Sequence, residues 1–446
     1  MIGKQAVVVG AGMGGLTAAR ALADHFERVL VLERDALPRE AADRSGVPQG
    51  KHVHALLAGG QRALAELFPG FDHDLAKSGA VPVRVGLDIR TERPGFDPFP
   101  QRDLGWDAYA MSRALVEFTV RQRVQACTNV ELRQGCRVEA CVARPDGTAV
   151  TGVRCAQGTG TSETLGADLV VDASGRGTLT LGLLESIGQA APDEATVGVD
   201  LGYASAVFAI PDDAPPDWKG LFCFPRAPYS SRGALMLPLE GERWIVTIAG
   251  RHGERPPGDP EGFMTSAQQL RTPTIYNAIK HAKRQGEVVR FGFPESVCRH
   301  FERLPTFPRG LLPLGDAVCR FNPIYGQGMS VAAQEARALG HLLATRAAEP
   351  DPLDGLAPAF FAEAAALIET PWAGSVIPDF VYPDTRGERP ADFEVAIKFG
   401  LALRTLAARD PAVHRLVTEV AHLLKPRSVY RDPELVQRVL AVMTEG

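Results

Sequence analysis

The chain has 446 residues, of which 45% are hydrophobic and 23% charged, and its formal net charge is −5 at pH 7. These values predict a globular protein of more than one domain, without the basic excess of a nucleic-acid-binding protein. No apolar run reaches the ~18–20 residues that span a bilayer, and an apolar strand begins too early for a signal peptide. We therefore expect a cytoplasmic protein without a transmembrane segment. The seven cysteines are odd in number and lack paired metal spacing, which predicts free thiols and no metal site.

A glycine-rich turn connects the first predicted strand, at residues 7–9, to a predicted helix at residues 16–22. Gly10 permits a tight turn, and Gly12 lets the backbone approach a pyrophosphate. Gly15 lets the helix pack closely against the strand. The free amides at the start of the helix would then face the phosphates of a dinucleotide. A glycine-rich turn without a ligand is the alternative interpretation.

An acidic residue follows the second predicted strand, at residues 28–32. Glu33 lies roughly 20 residues after the glycine turn, where a carboxylate can accept hydrogen bonds from an adenosine ribose. The same carboxylate would repel the additional phosphate of NADP. Strand, turn, helix, second strand and acid thus occur in the order of a dinucleotide site.

A predicted helix from Ser112 to about Ala126 carries Arg113 in its first turn. Ser112 can cap the helix, whereas a cation at this end opposes the helix dipole. An anionic partner for Arg113 would remove this conflict, and a solvated side chain is the alternative.

The middle of the chain is rich in predicted strands, at residues 197–210, 233–239, 243–248 and 288–293. The second and third of these read as a hairpin. Helices are predicted at 261–270 and 274–284, and the proline-rich segment 93–100 is predicted to be a loop near the mouth of a pocket between two domains. The pocket candidates are Phe222, Phe224, Met236, Phe291 and Phe293, although such residues more often belong simply to the core.

The same stretch has few charged residues near its aromatic residues until Arg232 and Arg243. A buried charge without a partner is costly, so this composition favours an apolar, neutral substrate. No Arg and Tyr pair that could converge on a carboxylate is evident from the sequence.

A second glycine-rich motif follows a short apolar run at residues 311–314. Asp316, directly after Gly315, could bind the ribityl or phosphate-linking part of a flavin. Pro323 fixes the following loop, and Gly326-Gln327-Gly328 opens a predicted helix from Met329 to Ala347. Amides at the start of this helix would favour the charge of a reduced flavin by ~0.3–2 kcal/mol. The two motifs together predict a grip on both ends of FAD, and the alternative is a helix start that follows a surface aspartate.

Further segments with a family resemblance are Glu33-Arg34-Asp35, the stretch from Arg44 to His54, Met111–Leu115 and Asp168–Gly177. With the two glycine motifs, they resemble the single-chain FAD-dependent monooxygenases of the para-hydroxybenzoate hydroxylase fold. The chain is most similar to bacterial epoxidases that act on linear polyene precursors of polyether antibiotics, and the similarity extends to about residue 385. It implies an α/β fold, in which a Rossmann-like FAD-binding domain (GR2 type) is interleaved with a β-sheet substrate domain and followed by C-terminal helices.

The expected division of the chain is interleaved. The FAD-binding domain takes residues 1–80, 105–187 and 300–348, the substrate domain takes 81–104 and 188–299, and the C-terminal helical region takes 349–446. Within the last region, helices are predicted at 357–367, 393–406 and 411–423.

The resemblance also implies roles for individual residues. Arg34 would lie over the adenine, Val138 would contact it through the backbone, and Arg113 would contact the phosphate or ribityl region. Asp172 lies in a segment associated with FAD and nicotinamide binding, but this chain has Asp172-Ala173 where many aromatic hydroxylases have Asp-Gly. The predicted cofactor-binding residues are Gly10, Gly12, Met13, Gly14, Gly15, Glu33, Arg34, Gln49, Arg113, Val138, Asp172, Gly315, Asp316, Pro323, Gly326, Gln327, Gly328 and Met329.

The implied activity is that of an oxidoreductase with non-covalent FAD, transient NAD(P)H as the hydride donor, dioxygen as the second substrate and no metal. Epoxidation of an apolar alkene or polyene in secondary metabolism, such as antibiotic biosynthesis, is expected ahead of hydroxylation of an aromatic polyketide or phenol. Reduced flavin itself carries the oxygen chemistry, so no catalytic side chain is assigned. His52 and His54 are the candidates for a general acid or base, with packing or capping as the alternative. A monomer or homodimer is expected.

Three other functions remain open. A flavin halogenase of this fold would carry a Trp-x-Trp pair, but no two tryptophans are two residues apart. A prenyl-chain reductase is suggested only by Phe222-Cys223-Phe224-Pro225. A non-enzymatic escort protein of small GTPases would need no intact FAD grip.

Overall fold

The computed structural model describes residues 1–158, 160 and 162–444, so residues 445 and 446 of the predicted C-terminal region lie outside it. Its strands form a five-stranded sheet, a seven-stranded sheet and two smaller sheets. The strands are β1 (Gly3–Val9), β2 (Phe26–Glu33), β3 (Val81–Arg84), β4 (Ile89–Glu92), β5 (Asp107–Ala110), β6 (Val130–Gln134), β7 (Cys136–Ala143), β8 (Val150–Gln157), β9 (Ser162–Gly166), β10 (Leu169–Asp172), β11 (Glu194–Ala209), β12 (Gly220–Cys223), β13 (Gly233–Leu239), β14 (Arg243–Gly250), β15 (Arg284–Arg299), β16 (Leu311–Pro313) and β17 (Cys319–Arg320).

The helices surround both larger sheets and dominate the C-terminal part of the chain. They are α1 (Met13–Ala23), α2 (Ala58–Leu67), α3 (Phe71–Lys77), α4 (Arg113–Gln125), α5 (Thr178–Ser186), α6 (Pro260–Gln268), α7 (Thr274–Ile279), α8 (Gly328–Arg346), α9 (Leu356–Asp379), α10 (Phe393–Arg409), α11 (Pro411–Ala421) and α12 (Pro433–Thr444). Among the described residues, no helix combines the length and the apolar character needed to cross a membrane.

The five-stranded sheet is parallel and has the order β16-β10-β1-β2-β6. Its strands are almost continuously apolar because both faces are covered. Val8, Val31 and Val171 pack in the cluster that contains α1 and α8. Val7 and Leu30 on the opposite face pack against the antiparallel sheet β7-β8-β9 and α5. This arrangement is the predicted Rossmann-like core.

The seven-stranded sheet has the order β17-β15-β11-β14-β13-β12-β4. The predicted hairpin is confirmed, since β13 and β14 pair antiparallel from Gly233 opposite Ala249 to Leu239 opposite Arg243. One face of the sheet packs on α6 and α7. The strand predicted at residues 288–293 is longer than expected, because the polar residues at its start pair with the far end of β11.

The C-terminal helices close one side of the molecule. The helix predicted to end at residue 367 continues as α9 to Asp379, with Pro371 and Pro378 inside it. At the first of these prolines, the Ser375 hydroxyl donates a hydrogen bond to the Pro371 carbonyl at 3.1 Å. Helix α12 was not expected from the sequence.

Candidate functional site

A cavity of about 1810 Å³ lies between the five-stranded sheet, the seven-stranded sheet and the C-terminal helices. Its wall includes residues from both predicted glycine motifs and from β12, β13 and α10. Pockets for a single small ligand commonly measure ~300–1,000 Å³. This cavity therefore has room for a dinucleotide and a second molecule.

The first glycine motif forms a tight turn at the carboxyl end of β1. Gly10 has a φ of +100°, which favours glycine. A Cβ on Gly15 would lie 1.8 Å from the Gly10 carbonyl oxygen, so only glycine fits there. Helix α1 begins after Gly12 without a side-chain cap. The first amides of the helix are thus free for an anion, as a phosphate cradle requires.

Glu33 lines the cavity at the end of β2, but its oxygens already have partners inside the protein. They accept from the Ala11 amide at 2.8 Å and from the Asp35 amide at 3.0 Å. The Arg44 side chain, which is 7% exposed, lies 3.2 Å from Glu33 and 2.9 Å from Asp35. Glu33 therefore holds the glycine turn and also lines the cavity.

Arg44 was not assigned a role from the sequence, although it lies in the segment that carries the family resemblance. Its Nε donates to Glu117 Oε1 at 2.7 Å. Burial alone would lower the pKa of Arg44, but the carboxylates of Glu117, Glu33 and Asp35 raise it above the ordinary value. Arg44 is therefore a permanent positive charge in the wall of the cavity.

Arg113 follows the Ser112 cap, whose hydroxyl accepts from the Leu115 amide at 3.1 Å. Its Nη2 lies 2.8 Å from Glu117, whereas its buried Nη1 has no hydrogen-bond partner among the described residues. Burial lowers the pKa of Arg113 despite the carboxylate of Glu117. Since Arg113 also lines the cavity, this free donor fits an anionic group of a dinucleotide.

Asp316 lies after β16, beyond Gly315, whose φ is +69°. The carboxylate is exposed within the cavity although it lies deep in the protein. This burial raises the pKa of Asp316 to about 6, against the opposing effects of Arg320 and Arg113. Neighbouring Glu335, on α8, accepts from the Gly315 amide at 2.6 Å. Burial raises the pKa of Glu335 to about 8, and the charge of Asp316 adds to this rise.

Helix α8 starts at the cavity in the same way as α1. Gly326 has a φ of +67°, and Gln327 precedes the helix without a side-chain cap. The Oε1 of Gln327 is buried without a partner in the described residues. Two uncapped helix starts therefore open onto one cavity, separated by more than 300 residues of sequence.

The two predicted histidines occupy different positions. His52 is buried outside the cavity wall, with Nδ1 2.7 Å from the Ser205 hydroxyl. His54 lines the cavity, and its Nδ1 lies 3.0 Å from the His52 carbonyl. Burial lowers the pKa of both to about 4. Neutral His54 must donate from Nδ1 to that carbonyl, so its Nε2 is an acceptor. The structure thus leaves only His54 as a candidate that can reach a ligand.

Most predicted cofactor residues come together in the wall of the cavity. They are Gly10, Gly12, Met13, Gly14, Glu33, Arg34, Gln49, Arg113, Val138, Gly315, Asp316, Pro323, Gly326, Gln327, Gly328 and Met329. Gly15 is not in the wall, because it packs against the turn. Asp172 is also not in the wall, because its oxygens accept from Ser174 and Thr180, which keeps its carboxylate in the protein interior.

Only part of the predicted aromatic set reaches the cavity. Phe222 and Phe224 line it, whereas Met236, Phe291 and Phe293 do not. Met236 packs among the apolar residues of α6 and α7, and Phe293 packs with residues of α9. Side chains alternate along a strand, so the neighbours of Met236 face the cavity instead; these are Leu235 and Leu237.

The cavity wall also contains an Arg and Tyr pair that the sequence did not reveal. Arg251 Nη2 lies 3.2 Å from the Tyr325 hydroxyl and 2.6 Å from the buried Asp379 carboxylate. The Tyr325 hydroxyl donates to the same carboxylate at 2.8 Å. No such pair was evident from the sequence. Because Asp379 neutralises Arg251, this pair adds no net positive charge to the wall.

Known proteins resemble the chain in sequence and in structure. A family model described as FAD binding domain matches residues 4–354. Protein Rv3254 of Mycobacterium tuberculosis is 34% identical over 346 residues, which cover 76% of this chain and 72% of that protein.

Solved flavoproteins share the fold at low sequence identity. A flavoprotein/dehydrogenase from Cytophaga hutchinsonii has a TM-score of 0.70 at 15% identity and 99% coverage of both chains. The flavin-dependent brominase Bmp2 has a TM-score of 0.68 at 15% identity, with 99% of this chain and 98% of that chain covered. The probable FAD-dependent monooxygenase pqsL from Pseudomonas aeruginosa has a TM-score of 0.61 at 18% identity, with 85% and 97% covered.

Proposed function

Because the chain belongs to the FAD binding domain family, we propose that it is a flavin-dependent monooxygenase that transfers one oxygen atom from dioxygen to a largely apolar small molecule. The observation that carries this proposal is the single cavity into which two uncapped helix starts and an apolar sheet face both open. The two helix starts suit FAD, and the apolar sheet face suits an apolar substrate beside it.

The proposed FAD site uses the residues of both glycine motifs. The amides at the start of α1 bind the pyrophosphate, Glu33 faces the ribose, and Arg34 and Val138 flank the adenine. Arg113 supplies its free Nη1 to the phosphate or ribityl region. Asp316 binds the ribityl chain, and residues 326–329 present amides to the flavin ring.

When bound and reduced by NAD(P)H, FAD supplies the activation of dioxygen. The protein then has to hold the substrate, exclude water and keep the cofactor in place. Phe222, Leu235 and Leu237 form an apolar surface for the substrate. Helix α10 and the start of α8 complete the enclosure. His54 offers an uncharged acceptor, Nε2, which can orient a hydroxyl group without introducing a charge.

We infer epoxidation of an alkene or polyene in secondary metabolism ahead of ring hydroxylation, because the wall near Leu235 is aliphatic as well as aromatic. The positions of Trp218 and Trp244 do not support the halogenase alternative. Trp218 and Trp244 stack with ring centroids 5.8 Å apart in the core formed with α6 and α7, outside the cavity wall.

The test combines stopped-flow flavin reduction by NADPH and NADH with mass spectrometry of the products. A long polyene is expected to speed flavin reduction and to gain one oxygen atom, whereas a small benzoate is expected to do neither. Efficient hydroxylation of a small phenol without turnover of any alkene would overturn the epoxidase proposal and leave the monooxygenase class. NAD(P)H oxidation that yields only hydrogen peroxide with every compound would contradict the proposed function itself.

A further inference from the structure

Arg93 and Arg404 are two of several arginines that line the cavity outside the segments proposed to hold FAD. Arg93 follows β4, and Arg404 lies in the middle of α10. Burial lowers the pKa of Arg93 to about 10, and the positive charge of Arg404 adds to this effect. Burial also lowers the pKa of Arg404. Phe99, whose ring lies under Arg93, packs in one cluster with Phe399 and Leu403, which flank Arg404 on α10. The two guanidinium groups are therefore held in the same part of the wall.

Neither guanidinium forms an ion pair with a carboxylate of the described residues. Arg93 lies over the ring of Phe224 at 4.3 Å and over that of Phe99 at 5.7 Å. Its buried Nε has no hydrogen-bond partner in the described part of the chain. Aromatic faces hold the guanidinium in place, but they leave its donors available for a ligand.

The carboxylates near these arginines are bound elsewhere. Glu92, adjacent to Arg93, accepts from Arg90 and Thr274 at 2.8 and 2.7 Å. Asp97 binds Arg271 with Nη2 to Oδ1 at 2.7 Å, and Asp410 binds Arg438. The positive charge of the pair is thus not compensated within the protein, in contrast to Arg251 with its Asp379.

Apolar residues of the same wall include Phe224, Phe399 and Leu403. Arginine binds carboxylates through two parallel hydrogen bonds, which add specificity as well as strength. A pair of arginines beside apolar side chains therefore fits an amphipathic ligand with one acidic end.

We propose that Arg93 and Arg404 form an anion subsite that binds the carboxylate of a long, otherwise apolar substrate, whose chain lies along Phe222, Leu235 and Leu237. This inference rests on the proposed function, because it names the substrate class of the same cavity. It also revises the expectation of a wholly neutral substrate, which considered only the charges near β12 to β14.

The test measures binding, which does not depend on turnover. The FAD-loaded protein is equilibrated by dialysis with α-linolenic acid or with its methyl ester, both below the concentration at which they form micelles. The acid is expected to bind about tenfold more tightly or better, since hydrogen bonds to a charged group are strong. Arg93→Gln and Arg404→Gln should each weaken the acid by about tenfold to a hundredfold and leave the ester unchanged.

Arg389→Gln is the matched control, because Arg389 also lies over an aromatic ring, that of Phe393 at 4.6 Å, but does not line the cavity. Its affinity for the acid should equal that of the wild type. FAD content and thermal unfolding show which variants remain folded. If one of the two arginine variants does not fold, the acid affinity of the other tests the proposal. If neither folds, the preference of the wild type for the acid over the ester tests it.

Three results would overturn the proposal: equal binding of acid and ester, binding of neither, or an unchanged preference in a folded variant. NADPH is titrated in the same dialysis, because its phosphates are the alternative anionic ligand of these arginines. If both variants lose NADPH binding and retain acid binding, the carboxylate subsite is also overturned. An absence of oxygenated product would contradict the proposed function alone, since a preference for the acid can be measured without any reaction.

Discussion

Replacement of Glu33 by glutamine tests the cofactor site at one atom. The carboxylate accepts from the amides of Ala11 and Asp35 and lies 3.2 Å from Arg44. Glutamine has similar size and can still accept from Ala11, but its amino group would face the Asp35 amide, which is also a donor. A hydrogen bond to a charged acceptor contributes ~1.5–3 kcal/mol. If Glu33 also accepts from the ribose, FAD affinity should fall by about tenfold to a hundredfold.

The assay is a titration of apoprotein with FAD, followed by flavin fluorescence, together with urea unfolding of the apoprotein. Unfolding should show a loss of about 1–3 kcal/mol, because the Asp35 amide is left without an acceptor. Glu131→Gln is the control on the same sheet. Its ion pairs with Arg28 and Arg133 are partly exposed, and such surface pairs contribute little. Lower stability with unchanged FAD affinity would show that Glu33 only supports the glycine turn, and would refute its assignment to the ribose.

Three further outcomes are expected. The purified protein should be yellow, and acid precipitation should release all of its flavin; a colourless protein that FAD cannot reconstitute would contradict the cofactor assignment. Gly15→Ala should destabilise the protein by about 3 kcal/mol or more, because its Cβ would meet the Gly10 oxygen at 1.8 Å. Gly182→Ala in α5 is the control: its Cβ would have nothing within 4 Å, so it should stabilise the protein by about 0.5–1 kcal/mol. Equal effects of the two substitutions in thermal unfolding would refute this reasoning. Burial raises the pKa of Glu335 from 4.5 to about 8, so the folded state retains a proton that the unfolded state loses in this pH range, and the wild type loses stability as pH rises. Glu335→Gln should therefore gain a few kcal/mol relative to the wild type between about pH 5 and about pH 8, and a constant difference in urea unfolding would contradict the assignment.

The features predictable from the sequence were those encoded over a short stretch of chain. Gly10, Gly12 and Gly15 follow one buried strand, so their spacing alone indicates the turn and the helix start that the structure shows. The hairpin of β13 and β14 has the same local character. The second glycine motif could be recognised because the loop, Asp316 and the start of α8 are consecutive.

The contacts that could not be predicted join distant segments. Arg44 meets Glu117 across 73 positions, and Arg251 meets Asp379 across 128. No local pattern states which carboxylate will neutralise which arginine, so the charges in the cavity wall become evident only in the fold. Which side chains of β13 face the cavity could not be predicted for another reason. Met236 and its neighbours are all apolar because α6 and α7 cover one side and the cavity lies on the other.

The strand order of the parallel sheet also has a consequence for biosynthesis. β16 joins the sheet beside β10, whereas the first glycine turn follows β1 at the start of the chain. A ribosome that adds ~5–20 residues per second needs roughly 15–65 s to progress from the N-terminus to Gly328. During that interval the nascent chain has the first glycine turn but neither Asp316 nor the second helix start, and the edge of β10 has no partner strand. Both helix starts that open onto the cavity are therefore present together only after Gly328 has been synthesised.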